Sequence, residues 1–242
     1  MWYQENDSLI RAVVGIFIFL WVVVILVSHQ VYADKTSYQS QSQAAGWRGA
    51  KAAMYRVIYK GHNYTLYYGC SYTGSVIDLS TCKYTPVERE KFRATRVEAE
   101  HIVPASLLPA RKFECWKISR FECESTDPKA QAMLFDLHNL APSVGQLNLI
   151  RGNMRYGETK GTFNPPDCVK GDVARVWFYM RFKHKLEFLP GEEEMFLRWS
   201  KMDPVSPWEN ERERRIRNHN SIANPYVKGQ EPDDSGSCPW ER

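Results

Sequence analysis

Residues 96–103, RVEAEHIV, alternate apolar and polar side chains at a period of two, and Pro104 closes the run. That spacing predicts a half-buried β-strand, because successive strand side chains face opposite ways and proline cannot donate to a ladder. The strand brings the string Glu98-Ala99-Glu100-His101 to its C-terminal end. A carboxylate beside an imidazole sets a hard oxygen donor next to a group that titrates near neutral pH. A second polar stretch, Asp136-Leu137-His138-Asn139, lies between apolar residues shortly before Pro142. Its Asn or His is a candidate second ligand supplied from another element.

Outward from these stretches the chain divides into a strand-bearing half and a helical half. Residues 47–60 place Trp47, Ala50, Met54 and Ile58 three to four apart, which predicts a helix. Residues 62–72, HNYTLYYGCSY, are aromatic and β-branched and read as strand. Residues 130–140 read as a helix or as a strand-to-loop approach to Asn139, and 145–153 as a polar, Gly-punctuated stretch. Residues 172–186 predict a helix capped by Asp172, with Val173, Val176, Trp177, Met180 and Leu186 near one face. Residues 192–202 begin acidic and end basic, as a helix dipole favours. Residues 207–218 form a third, strongly charged helix. The expected fold class is α+β: one domain over 47–230, with a small sheet and a helical second half.

The N-terminal residues 12–27, AVVGIFIFLWVVVILV, carry no charge, Arg11 precedes them, and Val31-Tyr32-Ala33 follows as a small-x-small cleavage site. Residues 1–33 therefore read as a signal peptide. The rival reading is an uncleaved anchor, because residues 9–27 nearly reach the ~20 needed to span a bilayer. A membrane is a partner only in that second case. Either reading exports the remainder to the periplasm or the exterior. Residues 34–46 are Gln- and Ser-rich and read as a polar linker, and 231–242 as an acidic tail. The six cysteines, Cys70, Cys82, Cys115, Cys123, Cys168 and Cys238, all follow the leader. An even set in an exported chain points to disulfides, and no Cys-x-x-Cys spacing suggests a zinc ribbon. Proximity favours Cys70–Cys82 and Cys115–Cys123, which leaves Cys168–Cys238 to tie the tail to the body.

The net charge of +4 over 242 residues is mildly basic, which suits a polyanionic partner without demanding one. The chain has no His-Glu-x-x-His and no Gly-x-Ser-x-Gly, so zincin and serine-hydrolase chemistries are without their motifs. A histidine base beside a divalent ion is, by contrast, a sufficient minimal set for phosphodiester hydrolysis.

The stretches TLYYGCSYTG, VEAEHIVPASLL, CWKISRFEC, FDLHNLAPSVGQLNLIRGNMRYGE, GDVARVWFYMRFKHKL and MDPVSPWENERERRIRNHNSIANPYV together resemble the bacterial endonuclease I family. The resemblance covers nearly all of the chain after the leader. It implies a mixed α/β fold with a ββα-metal (His-Me finger) site that cuts DNA, or RNA as well, with little sequence preference. On that pattern His101 activates water, Glu100 and Asn139 bind the metal, and Arg120 holds the scissile phosphate. Asn148, Arg151 and Asn153 support the site or contact phosphate. Mg²⁺ is the expected ion, with Mn²⁺ or Ca²⁺ as alternatives. Arg175, Arg181 and Lys183 become candidates for the nucleic-acid backbone, while Arg212, Arg214, Arg215 and Arg217 alternate with acids and suit ion pairs within their helix. A monomer is the default. The chain departs from the family where only residues 157–164 separate Tyr156 from Pro165, and where SIANPYV replaces the usual Gly-Asn-His-Asn-Pro-Tyr. The rival functional reading is a catalytically inactive nucleic-acid-binding protein on the same scaffold.

Overall fold

The computed structural model describes residues 46–220 and 222–241, together with residue 21. The leader and linker expected over 1–46 lie outside the described residues but for residue 21 and Gly46. Among the described residues no helix is long and apolar enough to cross a membrane.

Two short antiparallel ladders hold the β-structure. β1 (Ser71–Thr73) pairs with β2 (Val76–Asp78). β3 (Val97–His101) pairs with β4 (Leu140–Val144), with Val97 opposite Val144 and His101 opposite Leu140. The strand predicted around residues 96–103 is β3. Its partner β4, LAPSV, is buried at every position. A strand covered on both faces shows no alternation, and its central Pro142 reads as a break. Of residues 62–72, which composition suggested as one strand, only Ser71 and Tyr72 belong to a strand, the start of β1. Upstream of it Tyr64 bridges to Ser71 and the intervening residues turn. Their apolar character serves burial of Leu66, Tyr67 and Cys70 instead. Gly69 sits at φ +60° with the Trp240 ring where a Cβ would stand, so no other residue fits there.

Among the described residues there are eight α-helices. α1 (Gly46–Ala53) continues into a wider turn over Met54–Ile58. α2 (Glu114–Ile118), α3 (Arg120–Thr126) and α4 (Pro128–Leu134) form a short helical run. Ser119 caps α3 and Asp127 caps α4, accepting from Lys129 and Ala130 N–H groups ahead of a first-turn proline. α5 (Gly145–Arg151) follows β4 directly. α6 (Lys170–His184) is the central helix, and α7 (Glu192–Met202) and α8 (Pro207–Asn220) flank it. α6 does not bury one stripe. Every residue from Lys170 to Met180 is buried, with Trp177 against Phe196 of α7 at 5.1 Å between ring centres. Asp172 does not cap it. The helix starts two residues earlier, and the Gly171 N–H donates to Asp203 Oδ2 at 2.7 Å.

The three disulfides pair as proximity along the chain suggested: Cys70–Cys82, Cys115–Cys123 and Cys168–Cys238. The last one turns the acidic tail into a strap. The Asp233 N–H donates to Val205 O at 2.9 Å, Trp240 covers Gly69, and Glu241 is buried. Glu241 thereby joins Asp172, Asp203 and Glu209, all buried, around the single cation Arg175. Burial, reinforced by the neighbouring acids, holds the Asp172 and Glu241 carboxyls well above the usual range. Burial likewise pushes Asp203 up to about 7 against the opposing effect of Arg175. Groups raised in this way are protonated in the folded state. The stability they give is present below the ordinary carboxylate range and is lost as pH rises through the folded value. The melting temperature should therefore fall as pH rises from the ordinary carboxylate value of 3.8 through about 7. Glu241→Gln should flatten that fall, and a wild-type profile level across the range would contradict the cluster's protonation.

Candidate active site

β3 ends by presenting adjacent residues to opposite faces, so Glu100 and His101 enter different surroundings. The His101 ring stacks on Trp47 of α1, with ring centres 5.1 Å apart and planes 10° from parallel. Its Nε2 lies 2.8 Å from the carbonyl oxygen of Leu134, at the end of α4. A carbonyl only accepts, so Nε2 carries the proton and Nδ1 keeps a lone pair. Burial pushes the imidazole down to about 4 despite the Leu134 bond, and the charges of Arg120 and Arg151 add to the fall. At neutral pH His101 is therefore an uncharged base.

Glu100 is fully buried. Its Oε1 accepts the Tyr67 hydroxyl at 2.5 Å and pairs with Arg151 Nε. Since Tyr67 spends its proton on Glu100, the Tyr156 hydroxyl donates to Tyr67 across 2.5 Å. Burial, then the Glu100 charge, keeps the Tyr67 phenol well above its usual range. Glu100 Oε2 has no hydrogen-bond partner. One strand repeat earlier, Glu98 accepts from Arg93 Nε at 3.0 Å and from Asn148 Nδ2 at 3.2 Å. Asn148 and Arg151 are three apart on α5, so one helical face meets the Glu98 and Glu100 face of β3 at both rungs. Nδ2 of Asn148 faces Glu98, and among the described residues no donor is seen at its Oδ1.

The remaining predicted residues fall into different places. Asn139 is buried and spends its whole amide on Val103: Oδ1 accepts the Val103 N–H at 2.6 Å and Nδ2 donates to its carbonyl at 3.0 Å. That geometry departs from the ligand role expected of it, since its only ligating atom already holds a backbone proton. Arg151 is not an open phosphate contact. It is 2% exposed, pairs with Glu100, and donates through Nη2 to the His101 carbonyl at 2.6 Å. Arg175 is likewise removed from substrate, bound to Glu209 and to the Asp203 carbonyl in the core of the acid cluster. Arg181 pairs with Glu193 at the surface, and Lys183 with buried Asp136. Arg120 stays a third exposed, bound to Glu124 one turn on at 2.6 Å, and its charge reaches His101. Asn153 is exposed and accepts from Ser106 Oγ at 2.8 Å.

Sequence reasoning missed four supports. Trp47 carried no signal beyond helical spacing. Tyr67 and Tyr156 looked like core aromatics, which they also are. Arg212 was grouped with the ion-pairing arginines of its helix, and Arg214, Arg215 and Arg217 do pair with Glu211 and Glu213. Arg212 instead turns inward. Its Nη2 donates to the carbonyls of Leu137, His138 and Leu140, and its Nε to the Tyr59 hydroxyl. It holds the turn that precedes β4. Asp136, in the same turn, accepts from Lys183, His184 and the His138 N–H. Those partners outweigh its burial and hold its carboxyl far below the usual range. His138 is a core imidazole whose Nε2 meets the Ile222 carbonyl.

A buried neutral imidazole, a carboxylate oxygen without a donor and a partly exposed arginine are brought into one neighbourhood. The Endonuclease I family model matches residues 36–162 and 159–231. The chain is 32% identical to an extracellular deoxyribonuclease of Aeromonas hydrophila over 77% of its own length and 91% of that protein's. It is 32% identical to endonuclease-1 of Buchnera aphidicola subsp. Acyrthosiphon pisum, over 81% and 85% respectively. An extracellular ribonuclease of Bacillus subtilis matches at 31% over 38% of this chain and 43% of that protein. The chain belongs to the Endonuclease I family, whose members are phosphodiester hydrolases.

Two substitutions separate structural from substrate roles. Arg151→Ala leaves Glu100 an unpaired buried charge and should cost about 3–5 kcal/mol, read as a lower urea midpoint. An unchanged midpoint with weakened substrate binding would return Arg151 to a phosphate contact. Asn139→Ala strands two Val103 backbone groups, at about 1–3 kcal/mol each. Its signature is a loss of stability at any metal concentration.

Proposed function

We propose that this protein is an exported endonuclease that hydrolyses DNA, and RNA as a second substrate, with little sequence preference and with His101 as general base. The observation that carries the proposal is the pair of contacts on His101: Nε2 fixed on the Leu134 carbonyl at 2.8 Å, and the ring face fixed on Trp47. They leave Nδ1 free to take a proton from water. The names of the relatives, deoxyribonuclease and ribonuclease, supply the substrate class. The β3–β4 pair followed at once by α5 is compatible with a ββα-metal arrangement.

The donor set fits a hard divalent cation. Glu100 Oε2 is a buried carboxylate oxygen with no donor, and Asn148 Oδ1 on the facing helix is free of Glu98. Glu100 and Asn148 are therefore the residues we assign to hold the ion, in place of Asn139. Among the described residues no group of three or more His, Cys, Asp or Glu side chains is arranged to hold a metal. A two-ligand site completed by water suits Mg²⁺, which dehydrates reluctantly, with Mn²⁺ or Ca²⁺ as alternatives. A bound divalent ion supplies charge neutralisation on the phosphate and help for the leaving oxygen.

The protein's own residues do the rest. His101 takes the proton from the attacking water at Nδ1, and the charges of Arg120 and Arg151 keep it unprotonated until then. Arg120, the more exposed of the two, can reach the phosphate. Phosphate contacts of this kind carry no sequence information.

His101→Ala should lower plasmid nicking by about 10²-fold or more in a variant that still unfolds cooperatively. Wild-type cleavage should stop in EDTA and return with Mg²⁺. The acid limb of kcat/KM should fall near pH 4, the lowered value of His101, and not near 6.5. Full activity in the His101 variant would overturn the assignment of the base.

A further inference from the structure

The Cys115–Cys123 disulfide closes a loop of sequence CWKISRFEC that carries Arg120. On either side of Arg120 stand two of the most exposed large apolar side chains in the fold, Ile118 at 76% and Phe121 at 72%. A single exposed apolar residue needs no explanation, but this pair is placed. α3, which holds Phe121, packs between α1 and α4. Those helices supply the two contacts on His101, the Trp47 ring and the Leu134 carbonyl. The Arg120 guanidinium lies 5.8 Å over the Phe121 ring, and the same charge acts on His101. On α1, Arg48 is exposed and has no acidic partner among the described residues, and Lys51 lies over the Trp47 ring.

We propose that Ile118 and Phe121 form an apolar platform for the bases of the nucleic-acid substrate, with Phe121 stacking on a base whose neighbouring phosphate Arg120 holds. The proposal rests on the nucleic-acid reading above. An aromatic face beside a cation is the arrangement by which single strands are gripped without sequence preference, because every base has a π-face. The disulfide keeps the loop ordered before substrate arrives, so the apolar pair is displayed without an ordering cost at binding. The occupant is set by charge and by position. Arg120, paired with Glu124, stands between the two apolar residues, α3 touches the helix that carries Arg48 and Lys51, and the Arg120 charge reaches His101. A polyanion with flat apolar faces meets both parts of that surface.

The test measures binding separately from cleavage. The full oxidised chain is titrated in EDTA against a fluorescent single-stranded oligonucleotide, and against a strand of equal length with abasic sites in place of its bases. Wild type should prefer the base-bearing strand. Phe121→Ala should weaken that binding by about tenfold, leave abasic binding unchanged, and be rescued by Phe121→Trp. Ile118→Ser should act in the same direction with a smaller effect. Equal losses on both strands, or none on either, would overturn the platform while wild-type binding kept the nuclease reading intact. Failure of wild type to bind either strand would overturn both. Capture by lipid vesicles in preference to the oligonucleotide would assign the pair to a membrane instead.

Discussion

The site depends on one buried amide. Asn139 holds both the N–H and the C=O of Val103, two residues beyond His101, and so continues the β3–β4 pairing with a side chain where the backbone ladder runs out. The Ile102 N–H donates to the Asn139 carbonyl, so the same residue grips β3 with its main chain as well. This fixes the level at which β3 stops. Glu100 is thereby set against α5, and His101 against α1 and α4. From the other side, Arg212 grips the carbonyls around Asn139, so the turn that supplies the clamp is itself held. Removing a partner from such an arrangement leaves buried backbone groups unpaired, which is costlier than the bond alone would suggest.

Charge is handled by the same economy. Three of the anion-bearing centres that the described fold buries meet different counterparts. Glu100 meets Arg151 and a tyrosine relay, Asp136 meets Lys183 and His184, and the Asp172–Asp203–Glu209–Glu241 group has only Arg175. The partners of Asp136 hold its carboxyl far below the usual range. The third holds protons, and the disulfide-tied tail contributes to it through Glu241. Acidic pH thus favours the strap. At the active centre, burial keeps His101 neutral and basic at working pH, while the adjacent arginines discourage its protonation before substrate is bound.

Much of this was legible in the chain. The two-residue period ending at Pro104 gave β3, apolar spacing gave α1 and α6, charge pattern gave α7 and α8, and cysteine proximity gave all three disulfides. What escaped was whatever depends on a distant partner. β4 is covered on both faces and so carries no period. Residues 65–70 serve burial, with Gly69 under Trp240 and Tyr67 against Phe163, and pairing in a strand begins only at Ser71. Arg151 and Arg175 looked like phosphate ligands because an arginine near a site motif usually is one, but Glu100 and Glu209 had claimed them in three dimensions. Asn139 and Asn148 were both visible as polar residues in the right stretch. Which of them has a free oxygen is decided by Val103 and Glu98, and neither pairing leaves a trace in local sequence.

The central claim is that His101 waits as a neutral imidazole protonated at Nε2, and ¹⁵N–¹H correlation spectroscopy of selectively labelled histidine reads that state directly. The account predicts a neutral His101 with its proton on Nε2 at pH 7, titrating near pH 4. A proton on Nδ1, or a titration near the ordinary value of 6.5, would contradict it.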